Sequence, residues 1–283
     1  MLIHKSPHCF LFFLTFFLAC SASASEYITK IGLNVEHTNN SGLSSKSQAH
    51  HDVKVEPSLV IDYRIGSGNF QSNLNYSATR IDYTKNTFAD RSDVLGSGTF
   101  LWKIFDRSLV WNLSQNRRRL KIDSLLGNDP SNQTNRNILQ TGPRLSIGFG
   151  RNNTFAVDAS YVESSFSRGS TNNSQQGRLG LEYQRIINAQ DKLKVTVLAA
   201  EAKFDDSIFD YQFQRYNVTL EGNPRNFQYS IAIGHNSIDR NMGASLSGPY
   251  LSFSVSANKS NSSWSFSGNR ELTDSSIGIG VSE

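Results

Sequence analysis

Large apolar and small polar residues alternate along most of this chain, and this pattern constrains the fold more than any other feature of the sequence. In VKVEPSLVIDYRI, residues 53–65, the odd positions are almost all apolar and the positions between them are mostly polar. A period of two places successive side chains on opposite faces of a β-strand. No segment sustains the 3.6-residue period of an amphipathic helix, so the sequence predicts an all-β protein.

The connections between these strands alternate between short and long. Short polar turns occur at residues 66–69, 106–107, 151–153, 189–192, 223–225 and 258–261. Longer loops separate them, at residues 37–52, 84–93, 123–136, 166–175, 203–211 and 238–248. Outer-membrane barrels have short periplasmic turns and long external loops, whereas a β-sandwich mixes lengths at both ends. We therefore predict an antiparallel, transmembrane, up-and-down β-barrel of about fourteen strands, with a range of roughly 12 to 16.

The N-terminus has the pattern of a secretory signal. A basic start precedes the apolar run CFLFFLTFFLA and an Ala-x-Ala step at Ala22 and Ala24. We predict a signal peptide at residues 1–24 and an outer-membrane domain at residues 25–283. Lipidation of Cys20 is the weaker alternative. The two cysteines, Cys9 and Cys20, both lie in the signal, so the mature domain has no disulfide, thiol nucleophile or cysteine metal site.

The polar positions carry mostly Asn, Gln, Ser, Thr and Gly, with few charges. A soluble, secreted β-sheet protein usually places many Lys and Glu there, so this is the less favoured alternative. A barrel lumen tolerates such a surface. The formal charge of +4 is mild and scattered, and no nucleic-acid partner, cofactor or metal is expected. The candidate lumen-lining residues are the charged residues on this face: Lys54, Glu56, Asp62, Arg64, Lys103, Arg144, Asp158, Arg178, Glu182, Lys192 and Lys194.

Two short motifs have a chemical interpretation. The basic run NRRRLK includes Arg117, Arg118, Arg119 and Lys121, near the outer end of its strand. Either these side chains contact lipopolysaccharide phosphates, or they are solvated residues at the base of a loop.

In the second motif, His235 and Ser237 lie on one face, as in two outer-membrane lipid hydrolases with a His-x-Ser pair. No orienting carboxylate or amide is evident beside them, so we do not predict an enzyme.

Three stretches carry a family resemblance that extends from about residue 53 to the end of the chain. They are EPSLVIDYRIGSGNFQSNLNYSATRIDY, FDYQFQRYNVTLEGNPRNFQYSIAIG and NRELTDSS. The chain resembles outer-membrane β-barrel proteins associated with PEP-CTERM/exosortase exopolysaccharide systems. The resemblance implies a surface-assembly or passage component linked to exopolysaccharide, with the barrel-insertion machinery and outer-membrane lipid as partners. It implies no catalytic residues. A general diffusion porin is the alternative.

The C-terminal sequence departs from the usual pattern of such barrels. Outer-membrane barrels commonly end on an aromatic residue of a final apolar strand. Here the sequence SSIGIGVSE alternates at Ile277, Ile279 and Val281 without a terminal aromatic residue. Either the last strand closes the barrel without that signal, or the chain is incomplete.

Overall fold

A computed structural model describes residues 25–38, 51–105, 108–123, 132–168, 173–259 and 262–272. The predicted signal peptide and the alternating C-terminal residues lie outside these ranges. The described residues form thirteen strands, β1 to β13. Their bounds are β1 Ser25–Thr38, β2 Asp52–Gly66, β3 Phe70–Tyr83, β4 Arg91–Phe105, β5 Leu109–Lys121, β6 Gln133–Phe149, β7 Asn153–Phe166, β8 Ser174–Ile186, β9 Asp191–Phe204, β10 Tyr211–Gly222, β11 Phe227–Arg240, β12 Leu246–Lys259 and β13 Ser262–Arg270.

All thirteen strands belong to one sheet, and each pairs antiparallel with its neighbours in the chain. This confirms the predicted all-β, antiparallel, up-and-down arrangement. The strand count lies within the predicted range. β1 precedes the loop predicted at residues 37–52, and in it Tyr27, Ile31 and Val35 alternate with smaller or polar residues. A short 3-10 turn, Ser207–Phe209, lies between β9 and β10. Within the described ranges, no helix is long and apolar enough to cross a membrane.

The two ends of the strands differ as the sequence predicts. The connections after β2, β4, β6, β8, β10 and β12 are short, and we call that end of the sheet the short-turn edge. The connections after β1, β3, β5, β7, β9 and β11 are the longer ones, and that end is the long-loop edge. Short and long connections alternate from β1 to β13. Because every strand returns directly beside the one before it, the short connections all lie at one end of the sheet and the long ones at the other.

One face of the sheet presents a band of exposed apolar side chains, here called the apolar belt. On β11, for example, Ile231 and Ile233 are 49% and 59% exposed, and the cross-strand partners of Ile233 are Val218 and Leu251. Aromatic rings lie at its short-turn side, where Phe70 packs on Phe100 with ring centroids 4.4 Å apart. The opposite face, the polar face, carries the small and amide side chains between the belt positions. The alternation therefore places the apolar residues outside rather than in a core.

The polarity of the two faces reverses toward the long-loop edge. There a small apolar cluster occupies the polar face, with Ala202, Tyr211, Phe213 and Ile238 all less than a tenth exposed. Polar residues such as Gln214 and Ser237 take the positions that continue the apolar belt. The belt thus spans only part of each strand, and the strands continue beyond it into a region with a packed interior.

Two glycines allow close approach between neighbouring strands. Gly96 has φ +146°, and an added Cβ would lie 2.1 Å from the Asn75 carbonyl oxygen. At Gly142 an added Cβ would lie 1.9 Å from the Ala159 carbonyl oxygen. Glycine at such points lets a sheet bend and fold over itself. The register of β6 with β7 skips Gly142 and Pro143, which is consistent with a local bend there.

The Asp52 carboxylate holds the β3–β4 loop against the start of β2. It accepts hydrogen bonds from Thr84 Oγ1 at 3.1 Å, from Lys85 N at 2.9 Å and from Thr87 N at 3.3 Å. Burial alone would raise the pKa of Asp52, but these hydrogen bonds outweigh it and hold the pKa well below its usual range. Because the folded-state pKa is depressed, the carboxylate stabilises this loop above about pH 4 and stops doing so in stronger acid.

Asp52→Ala is therefore expected to loosen the β3–β4 loop without unfolding the sheet. Trypsin should cleave after Lys85 several-fold faster in the variant at pH 7, measured by mass spectrometry of the fragments. Asp82→Ala is the matched control, because Asp82 pairs with Arg80 in a partly exposed ion pair that contributes little. Equal cleavage rates in the two variants would show that Asp52 does not anchor the loop.

Candidate functional site

The polar face holds a cavity of about 530 Å³ across β3 to β7. Uncharged side chains form most of its polar lining: Gln71, Asn73, Thr99, Asn112, Ser114 and Gln140. These residues come from four strands, so the register of the sheet brings them together.

The amides of this cavity are available to a ligand. Among the described residues, the side chains of Asn73, Asn112 and Gln140 make no hydrogen bond to the protein, and all three are exposed. An amide offers both a donor and an acceptor. Such groups bind hydroxyl-rich, uncharged molecules by hydrogen bonds and do not discriminate by charge.

A compensated charge cluster borders the cavity. Arg144 Nη2 donates to Glu182 Oε1 at 2.8 Å, and Arg144 Nη1 donates to Asp158 Oδ1 at 3.3 Å. Gly180 leaves room for the Asp158 carboxylate, since an added Cβ there would lie 2.5 Å from Asp158 Oδ2. The three predicted residues thus lie together on the polar face, and one cation serves two carboxylates.

Most of the other predicted lumen-lining residues are also paired on this face. Lys54 Nζ lies 2.8 Å from Glu36 and 3.3 Å from Glu56, and Arg64 contacts Asp62 at 3.4 Å. The remaining contacts are Lys192 and Lys194 with Glu221, Arg178 with Gln176, and Lys103 with the Gly68 carbonyl. The polar face therefore has no long stretch of a single charge sign.

A second cavity, about 470 Å³, lies on the polar face of β9 to β13. Serines on three adjacent strands form its wall, with Ser254 opposite both Ser230 and Ser267. The sequence predicted these serines to be polar-face residues but not that they form a row across strands. That row depends on the register, which no single strand specifies.

The chain turns inward after β13. Glu271 Oε2 lies 2.8 Å from Arg215 Nη2, and the Leu272 carbonyl accepts from Asn236 Nδ2 at 3.2 Å. Leu272 also packs against the apolar cluster at the long-loop edge. These contacts join the end of β13 to β10 and β11 across the polar face. No local pattern in the sequence predicts them, because they join residues more than thirty positions apart.

The basic run divides between the two faces. Arg117, Arg119 and Lys121 lie on the face that carries the apolar belt, beyond Leu113 toward the long-loop edge. Arg118 lies on the opposite face, directly across from Arg136. Only part of the predicted lipopolysaccharide contact set therefore shares a surface.

His235 and Ser237 also lie beyond the apolar belt, on the same face. The His235 ring stacks on Tyr216 with centroids 5.6 Å apart, and its cross-strand partner on β12 is Pro249. In the described part of the chain, His235 and Ser237 make no hydrogen bond to each other and neither contacts a carboxylate. The pair thus lacks the orienting group that a nucleophilic serine needs.

Among the described residues, no cluster of His, Asp and Glu is arranged to hold a metal ion. The sequence matches no protein-family model and no curated protein.

Proposed function

We propose that this protein is an outer-membrane β-barrel whose lumen binds or passes an uncharged polysaccharide. The observation that carries the proposal is an up-and-down sheet with an exposed apolar belt on one face and free amides and hydroxyls on the other. Soluble monomers rarely expose apolar patches larger than a few hundred Å². Burying the belt in lipid and closing the sheet removes both this exposure and the two open edges.

The dimensions of the belt support the membrane assignment. On β6 the belt face runs from Leu139 to Phe149, about 33 Å along the strand at roughly 3.3 Å per residue. Strands of outer-membrane barrels tilt by about 35–45°, which gives a height of about 25 Å, the thickness of their apolar band. Closure would bring the two sides of the sheet, at β1 and at β13, together.

The polar face favours a neutral, hydroxyl-rich cargo over an ion. Its charges are compensated, as in the Arg144 cluster, so they select weakly for ion sign. Amides and serines form much of the lining of the two cavities, and the charged residues among the lining are paired with the opposite sign. Linkage to exopolysaccharide export or surface assembly is the biological setting that this chemistry and the family resemblance favour.

The first test is heat-modifiability. Detergent-extracted membranes are run on gels unboiled and boiled, and a closed barrel migrates differently after boiling. A single unshifted band from a soluble fraction would overturn the barrel and support a secreted β-sheet protein.

The cargo is tested by single-channel recording of the reconstituted protein. Neutral dextran oligosaccharides are expected to block the current more strongly than polyethylene glycol of equal size, and Asn112→Leu should weaken that block about tenfold. Ser263→Leu, on the polar face but outside the β3–β7 cavity, is the control. Equal block by both polymers would indicate the alternative, a general diffusion porin.

A further inference from the structure

A third cavity, also polar, lies on the face of the apolar belt, where the belt ends toward the long-loop edge. Its volume is about 230 Å³, and Tyr76, Gln115, Arg117 and Asn137 line it. The register of β4 with β5 begins at Gly96 opposite Arg117, and the two strands are not paired beyond that point. The gap between the strands creates the cavity.

Hydrogen bonds fix one wall of this cavity. Tyr76 Oη donates to Gln115 Oε1 at 2.9 Å, and Gln115 Nε2 donates to Asn137 Oδ1 at 2.8 Å. This chain orients the Asn137 amide so that its Nδ2 remains a free donor within the described structure. The wall is therefore ordered before any ligand binds.

Arg117 supplies an unused cationic donor. In the described residues its Nε is shielded from solvent and has no hydrogen-bond partner. A shielded guanidinium nitrogen without an acceptor is costly, and a ligand oxygen would relieve that cost. A planar guanidinium suits a tetrahedral oxyanion such as phosphate.

The surrounding charge is positive. Asp93 is contacted by Arg119, by Arg91 at 3.4 Å and by the Asn135 amide at 2.7 Å. Asn135 also lines the cavity, and through it the cavity adjoins a cluster in which two arginines share one carboxylate. An anion is therefore favoured here, and a neutral sugar is not.

The position of the cavity identifies the source of the anion. Arg117 lies four residues beyond Leu113, the last apolar belt residue of β5, or about 13 Å along the strand. That places the guanidinium at the level where headgroups begin outside the hydrocarbon. We propose that Arg117, with Asn137, binds the phosphate of a lipid headgroup in the outer leaflet.

This inference rests on the proposed membrane barrel, so the test first verifies the barrel in the same sample. Protein in detergent must show the heat-dependent gel shift before binding is measured. Diphosphoryl lipid A, dephosphorylated lipid A and inorganic phosphate are then titrated separately, and native mass spectrometry counts the bound molecules. If the gel shift is present but the lipid does not bind, only the proposed pocket is rejected. If the gel shift is absent, the proposed function is rejected.

Diphosphoryl lipid A is expected to bind, and dephosphorylated lipid A at least tenfold more weakly. Arg117→Gln should weaken binding of the diphosphoryl lipid about tenfold. Arg118→Gln is the matched control, because it removes the same charge from the next residue on the opposite face. Equal loss in both variants, or no dependence on the lipid's phosphates, would overturn the proposal. Inorganic phosphate binding as tightly as the lipid would assign the pocket to free phosphate instead.

Discussion

The double substitution Leu251→Arg and Phe253→Arg is expected to abolish insertion of the protein into membranes. Both side chains lie in the apolar belt on β12, at 44% and 39% exposure. An arginine facing lipid costs about 2–4 kcal/mol near the bilayer midplane and about 0–1 kcal/mol near the interfaces. Phe253 is the more central of the two residues and Leu251 is the last belt residue of β12, so the pair costs roughly 2–5 kcal/mol. The heat-modifiable band in the membrane fraction should fall by more than tenfold, as quantified by immunoblotting.

The control for this experiment uses the residues on either side of Phe253 on the same strand. Ser252→Arg and Ser254→Arg add the same two charges to the polar face, where the wall has space beside the serine row. This variant should insert at close to the unmodified level. If both pairs of substitutions reduce insertion equally, the two faces do not differ in their surroundings. If the belt variant instead becomes more soluble and stays folded, the sheet is not a membrane barrel.

Replacing Arg144 by Gln is expected to make the reconstituted channel selective for cations. Arg144 is the cation shared by Asp158 and Glu182, so its removal leaves two uncompensated carboxylates beside the large cavity. Carboxylates at a constriction favour cations. The permeability ratio of potassium to chloride, obtained from the reversal potential in a salt gradient, should rise several-fold.

Lys103→Gln separates this local effect from a general change in charge. Lys103 lies on the same face, has no carboxylate partner in the described structure, and donates to the Gly68 carbonyl at 3.3 Å. Its removal should shift the reversal potential only slightly. Equal shifts in the two variants would show that the Arg144 cluster does not border the conducting path.

Much of the fold follows from local sequence patterns. The short turns and long loops are set by Gly, Asn and Asp near each strand end, and they occur where the sequence predicts them. The alternation assigns residues such as Ile231 and Ser230 to their faces, because a strand offers only two. The loop predicted at residues 37–52 follows β1, whose own alternation at Tyr27, Ile31 and Val35 is clear.

The reversal of the faces is visible in the sequence as a change of parity. In β10, Tyr211 and Phe213 occupy odd positions, while Tyr216, Val218 and Leu220 occupy even ones. A change of parity within one unbroken strand means that the apolar side chains switch faces. It marks the height at which the belt ends and the packed interior of the long-loop edge begins.

The sites themselves could not be predicted from sequence, because they join strands that are distant in the chain. The Arg144–Glu182 contact skips β7, and the cavity beside Arg117 depends on where β4 leaves β5. A one-residue change in register would separate both sets of residues and exchange their faces. Residue types supply the chemistry, whereas the registers decide which groups meet.

The order of strands in the sheet also bears on how the chain reaches its final state. Every ladder joins strands that are consecutive in sequence, so each new pairing closes only a loop of a few to about a dozen residues, at a small entropic cost. Such pairings form quickly compared with those between distant segments. The described sheet is thus able to grow hairpin by hairpin from either of its ends.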